Sequence, residues 1–141
     1  VGAPGRLHRV RPPLLWGAGT LAAVLVVHVW DPNRPGSYGL CPLRAVTGLV
    51  CPGCGGLRAV HAMTHGDWAT AWGLNPAVVA GLPLAVSAWL LWLLLAWHGR
   101  AVAAGPGPRR PLVPWLGLAV VLLYGVLRNV PALEPHLSAL T

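Results

Sequence analysis

A chain of 141 residues with 55% hydrophobic and only 9% charged residues is one domain, with too few charges to coat a soluble globule of its size. Its formal charge of +7 comes from ten arginines against three carboxylates. The arginines flank apolar runs instead of forming one basic face, which argues against a nucleic-acid partner, and three carboxylates leave little for acid–base catalysis.

In chain order, residues 1–13 read as a basic, proline-containing tail, and three apolar runs follow as transmembrane helices. They are about 14–30 ("LLWGAGTLAAVLVVHVW"), about 77–97 and about 112–130. The first and third are near the short limit, since about 20 residues cross about 30 Å of hydrocarbon. The second is the longest, and Pro83 is expected to kink it. The first also reads as an uncleaved signal anchor. Tryptophans bracket the runs as interfacial residues do: Trp16, Trp97 and Trp115 at one boundary, and Trp30, Trp68 and Trp72 at the other. Trp89 and Trp92 fall deeper and read as packing residues.

Arg6, Arg9, Arg11, Arg100, Arg109 and Arg110 sit on one side of this arrangement, and Arg34, Arg44, Arg58 and Arg128 on the other. The positive-inside rule then places the N-terminus and the 99–111 loop in the cytoplasm of a multi-pass protein, with loop 31–76 and the C-terminus outside. Arg128 reads as an interfacial anchor, although its place in an apolar run marks it for testing. His28 reads as a snorkelling histidine within reach of the loop.

Loop 31–76 carries the chemistry. "DPNRPGSYG" is turn-forming and leads the chain out of the first span. After Cys54-Gly55-Gly56 the spacing predicts a helix over 56–65 that Gly66 ends. Asp67 caps a second short helix, "WATAW", and Asn75-Pro76 is the N-cap and first-turn proline of the second span. The expectation is therefore an all-α membrane domain, 1–141, with three spans and two short interfacial helices between spans one and two.

All three cysteines lie in "CPLRAVTGLVCPGCGG", residues 41–56. Cys51 and Cys54, three apart around Pro-Gly, can direct two sulfurs at one ion, as in the knuckles of rubredoxins and zinc ribbons. Cys41 would be a third ligand, and His61 or His65 a fourth, for zinc. The same C-x-x-C pair at a helix start also suits thiol–disulfide exchange, with Cys51 and Cys54 as the redox pair and Cys41 as the third thiol. Cys54, Arg58, His61 and His65 follow at offsets that put them along one helical stripe. A disulfide staple without chemistry is the bland alternative. Arg58 reads first as a partner for Asp67 or for lipid phosphate. "GCGG" is no phosphate loop, because the lysine and the preceding strand are missing.

The combination Cys41-Pro42, Thr47-Gly48, Cys51-Pro52, Cys54-Gly55, Arg58-Ala59, Gly66-Asp67 and Asn75-Pro76 resembles the signature of an uncharacterised family of small bacterial membrane proteins, a domain of unknown function. Where that signature has threonine before the arginine, this chain has Leu57. The resemblance implies a membrane protein with a cysteine motif at the bilayer edge and supplies no reaction. Taken together, the residues favour a small membrane protein whose extracytoplasmic cysteine knuckle binds zinc in a structural or accessory role. The rivals are a membrane thiol–disulfide oxidoreductase and a non-catalytic subunit of a membrane complex. A membrane protein partner or a homo-oligomer is expected, because three short spans bury little surface against one another.

Overall fold

The computed structural model describes residues 5–34, 41–100 and 112–131, and among them there are helices and no strand. The order is α1 (Arg6–Val29), α2 (Pro42–Thr47), α3 (Gly56–Thr64), α4 (Trp68–Leu74), α5 (Pro76–Trp97) and α6 (Leu112–Leu127). Part of the turn-forming run, part of the 99–111 loop and the far C-terminus lie outside the described residues.

α1 and α5 are long and apolar enough to cross a membrane. Only 11% of the apolar window of α1 and none of that of α5 is buried inside the protein. The core helix of a soluble protein would bury most of such a face, since exposed apolar surface costs about 25 cal/mol per Å² in water. α6 has 16 residues, about 24 Å of helix against about 30 Å of hydrocarbon.

α1 begins eight residues earlier than the composition suggests. Pro12 and Pro13 lie inside it, so the basic tail is largely its first turns. Those two residues have no N–H to donate to the preceding turn, but side chains anchor this end to α5. Arg6 stacks over the Trp97 ring at 4.8 Å, and Arg9 Nε donates to the Ala96 carbonyl at 3.4 Å. Further along, Trp89 Nε1 donates to the Pro13 carbonyl at 2.9 Å. Its indole lies across Gly17 so closely that a Cβ there would meet a ring carbon at 2.7 Å, so only glycine fits. The start of α1 therefore packs on the end of α5, and the two run antiparallel.

The 41–75 segment gathers where α1 ends and α5 begins. α3 and α4 pack there around Ala59, Ala62, Met63 and Ala71, with Leu74, Val78 and Val79 against them. Alanines allow the two short helices this close approach. α3 ends as expected at Gly66: the Gly66 N–H reaches the Met63 carbonyl and the Asp67 N–H the Ala62 carbonyl, a Schellman closure. Asp67 then caps α4 by accepting from the Thr70 N–H at 3.0 Å. Asn75 caps α5 by accepting from Val78 N–H at 3.3 Å, with Pro76 in the first turn. Pro83 lies within one continuous helix.

Among the described residues between α1 and α5 there are three short helices, not two. The added one, α2, starts with Pro42 in its first turn and ends at Gly48, whose N–H bonds the Arg44 carbonyl. Thr47 then carries the chain on: its hydroxyl donates to the Leu43 carbonyl at 2.6 Å and accepts from Leu49 N–H at 3.2 Å. α6 approaches the same end of the molecule from its C-terminus, through Tyr124, Gly125, Arg128 and Asn129.

Candidate metal centre

The turn Cys51-Pro52-Gly53-Cys54 is closed by the Cys54 N–H on the Cys51 carbonyl at 3.1 Å and the Gly56 N–H on the Gly53 carbonyl at 2.9 Å. α2 brings Cys41, its N-cap, back beside this turn. The sulfurs of Cys41 and Cys51 are 3.4 Å apart and those of Cys51 and Cys54 3.0 Å, and all three lie within 4.8 Å of one another. The three residues are half-buried free thiols. A tetrahedral zinc with Zn–S bonds near 2.3 Å separates its sulfurs by about 3.8 Å. The triangle is therefore close to the size that one ion needs: the three cysteines can hold a metal ion.

The thiols are unequal. The Arg44 N–H beside Cys41, then the neighbouring sulfurs of Cys51 and Cys54, lower the Cys41 pKa to about 7. Burial, then hydrogen bonding with Cys51, raises Cys54 to about 12. A neutral-pH cluster would thus hold one readily ionised thiol beside one that keeps its proton until something displaces it.

The knuckle is held from behind by backbone-directed side chains. Asn75, fully buried, donates from Nδ2 to the carbonyls of Pro52 (3.0 Å) and Cys54 (3.2 Å), while its Oδ1 accepts from Tyr124 Oη at 2.9 Å. Arg128, also buried, donates from one guanidinium nitrogen to the carbonyls of Cys51 (3.1 Å), Pro52 (3.4 Å) and Cys54 (2.7 Å). Its other terminal nitrogen reaches the Leu74 carbonyl at 3.0 Å. Asn129 takes both backbone groups of Val50: Oδ1 accepts its N–H at 2.8 Å and Nδ2 donates to its carbonyl at 2.9 Å. Pro52 rests on Gly125, where a Cβ would come within 3.0 Å of the proline ring.

The histidines lie elsewhere. His61 Nδ1 is 2.8 Å from the Val27 carbonyl, in the last turn of α1, and His65 Nδ1 is 2.8 Å from the His61 carbonyl. A ring nitrogen beside a carbonyl must donate, so both imidazoles bond helix-end carbonyls, and the His61 carbonyl accepts from the His65 N–H and the Thr64 hydroxyl as well. His65 stacks on His28 with ring centres 4.3 Å apart, and His61 Nε2 faces Asp31 at 3.7 Å. The Asn33 N–H and then its side-chain amide hold the Asp31 carboxyl below its ordinary range. Among the described residues, the cluster with converging ligand atoms is the three cysteines, and neither histidine is part of it.

The helical stripe therefore divides. Gly55 is the N-cap of α3 with φ +76°, which leaves Cys54 outside the helix, while His61 and His65 share a face directed at α1. Arg58 is exposed and is not paired with Asp67, whose carboxyl is held low by the Thr70 hydroxyl and then its N–H. Leu57, in the first turn of α3, is 46% exposed. His28 meets the loop through His65 instead of reaching for solvent alone. Arg128 is a buried tie and no interfacial anchor. The only sequence signal for it was a lone arginine in an apolar run.

Among the described residues, these features define a small helical protein with two membrane-length helices and a buttressed three-cysteine knuckle. The model of a family described as "Protein of unknown function (DUF2752)" matches residues 41–89, which hold all three cysteines, α2 to α4 and the first part of α5. The likeness to a domain of unknown function is shown over that stretch. α6 and its ties to the knuckle lie beyond it. No curated protein and no solved structure matches the chain.

Proposed function

We propose that this is a small three-span membrane protein whose cysteine knuckle binds one thiophilic metal ion, zinc by preference, in a structural or accessory role. One observation carries the reading: Cys41, ten residues upstream, joins the C-x-x-C pair so that three sulfurs converge. A disulfide needs two thiols; a third at 3.4 Å suits a shared ion. Bound, the ion would supply a cross-link between α2 and the start of α3, and thiolate ligands favour a soft or borderline cation. α6 counts as the third span, its short helix extended by the residues up to about 130. The arginine distribution supports an extracytoplasmic knuckle, and the exposed apolar faces of α1, α5 and α6 leave room for a membrane partner or a second copy.

The test is metal content together with free-thiol count on detergent-purified protein, prepared without chelator or reductant. About one zinc per chain, with thiols that react only after the metal is stripped, is the expected result. Absence of metal with a single free thiol would sink it.

A second reading draws on the 3.0 Å approach of Cys51 and Cys54, a short movement from an S–S bond of about 2.05 Å. In it the two thiols become a disulfide, releasing two protons and two electrons to a quinone or to a partner's disulfide. Exchange starts from one thiolate and metal binding also requires the Cys54 proton to leave, so the raised pKa of Cys54 does not choose between the readings. Bound metal with unreactive thiols would separate the two.

A further inference from the structure

We infer that Arg128 is a positioning residue for the three-sulfur site: by pinning the carbonyls of Cys51, Pro52 and Cys54 to one point, it fixes the turn on which two of the three sulfurs ride. The inference rests on the metal reading above and extends it to α6, outside the family match.

The geometry is specific to a guanidinium. One nitrogen serves three carbonyls of the knuckle, and the other serves Leu74 at the end of α4. A planar fork can span the two elements; an ammonium, with its donors on one atom, cannot. The Pro52 and Cys54 carbonyls accept from Asn75 as well, so both lone pairs of each are used and the peptide planes have little freedom to rotate. Asn129, the next residue, holds the backbone of Val50 on both sides of its peptide. The end of α6 therefore grips the chain before Cys51 and the turn after it. Ligand residues held in this way meet an ion pre-arranged, which is how groups behind the direct ligands raise metal affinity.

The experiment uses the full chain in detergent, titrated with Co²⁺, whose thiolate charge-transfer bands report ligand number and geometry. Wild type should take one Co²⁺. Arg128→Gln should bind about tenfold or more weakly, with altered charge-transfer intensity but unchanged helical circular dichroism and elution volume. Arg128→Lys should recover only part of the loss, since it restores charge without the fork. A folded Arg128→Gln protein with wild-type Co²⁺ affinity and spectrum would overturn the inference. Should Arg128→Gln fail to fold, Asn129→Ala decides: its amide is exposed, and a loss in the same direction, about threefold, supports the clamp, while no change overturns it. Should wild type bind no Co²⁺, the metal reading falls and arsenite, which bonds three converging thiols at once, becomes the probe. Weaker arsenite capture by Arg128→Gln would then support positioning, and equal capture would refute it.

Discussion

The cysteine cluster and the histidine cluster are built from one short loop and lie at the same end of the molecule, yet they are made for different tasks. Around the cysteines, side chains from α6 and from the α4–α5 junction take up the backbone carbonyls and leave three sulfurs facing one another. Around the histidines the side chains tie helix ends together: Nδ1 of His61 and of His65 bonds a carbonyl at the end of α1 and of α3, and the His65 ring stacks on His28. Donor type alone would rank both as metal sites. What separates them is convergence: the three sulfurs lie within 4.8 Å of one another, and neither imidazole joins that group.

The largest expected effect follows from that contrast. Cys51→Ser or Cys54→Ser should lower metal affinity by at least ~100-fold, because a thiolate ligand is lost outright. His61→Ala and His65→Ala should leave it within about threefold. Zinc quantified after dialysis against graded competitors measures both. A histidine variant as damaging as a cysteine variant would erase the distinction between the clusters.

Within the cysteine cluster the pKa split gives the next effect. In metal-free protein Cys41 should alkylate with a midpoint near pH 7, about where half of it is thiolate. Cys54, raised to about 12, should stay protected through the neutral range, so at pH 8 Cys41 should react at least ~10-fold faster. Peptide mapping after a brief iodoacetamide pulse gives the ratio. The sign for metal binding follows: an ion must displace the Cys54 proton at neutral pH, and the Cys41 proton also once pH falls below about 7. Affinity therefore weakens as pH falls, and more steeply below 7. Equal labelling of the two thiols would contradict the arrangement around them.

Asn75 separates the two regions by stability. It is fully buried and serves Val78, Pro52, Cys54 and Tyr124 together. Asn75→Ala should cost about 2–3 kcal/mol, from a lost cap and buried carbonyls deprived of a donor. The thermal midpoint in detergent should fall accordingly, and added zinc should restore part of it if the ion cross-links the same turn.

How much of this was legible beforehand depends on how local the determinants are. The caps at Asp67 and Asn75, the stop at Gly66 and the C-x-x-C turn are read from adjacent residues, and each is where the spacing put it. α2 was missed because its N-cap is a cysteine, outside the usual capping residues, and its six residues are too few to show a helical period. The early start of α1 was missed because Pro12 and Pro13 signal a break, whereas Arg6 and Arg9 find anchors on α5 some ninety residues away. Arg128 was hardest: its partners are backbone carbonyls 54 to 77 positions upstream, and a carbonyl leaves no mark in a sequence. The histidines have the right donor type and helical spacing, but their ring nitrogens are not part of the converging sulfur group, and convergence is a tertiary property that spacing along one helix does not give.

The smallest expected effect is the one that defines the histidine cluster most sharply. If His61 is a cap for the α1 terminus, its loss frees one carbonyl of Val27 and one weak contact to Asp31 at 3.7 Å. His61→Ala should then lower stability by about 1 kcal/mol. His61→Asn, whose shorter side chain also carries an N–H donor, should regain some of that if it reaches the same carbonyl. Neither change should alter zinc stoichiometry or the accessibility of Cys41 to alkylation. A thermal-shift series with paired zinc analysis checks this, and the informative quantity is the lack of correlation: stability moves while the metal does not. Correlated losses would mean that the end of α1 is coupled to the knuckle through α3, and the two clusters would have to be treated as one site.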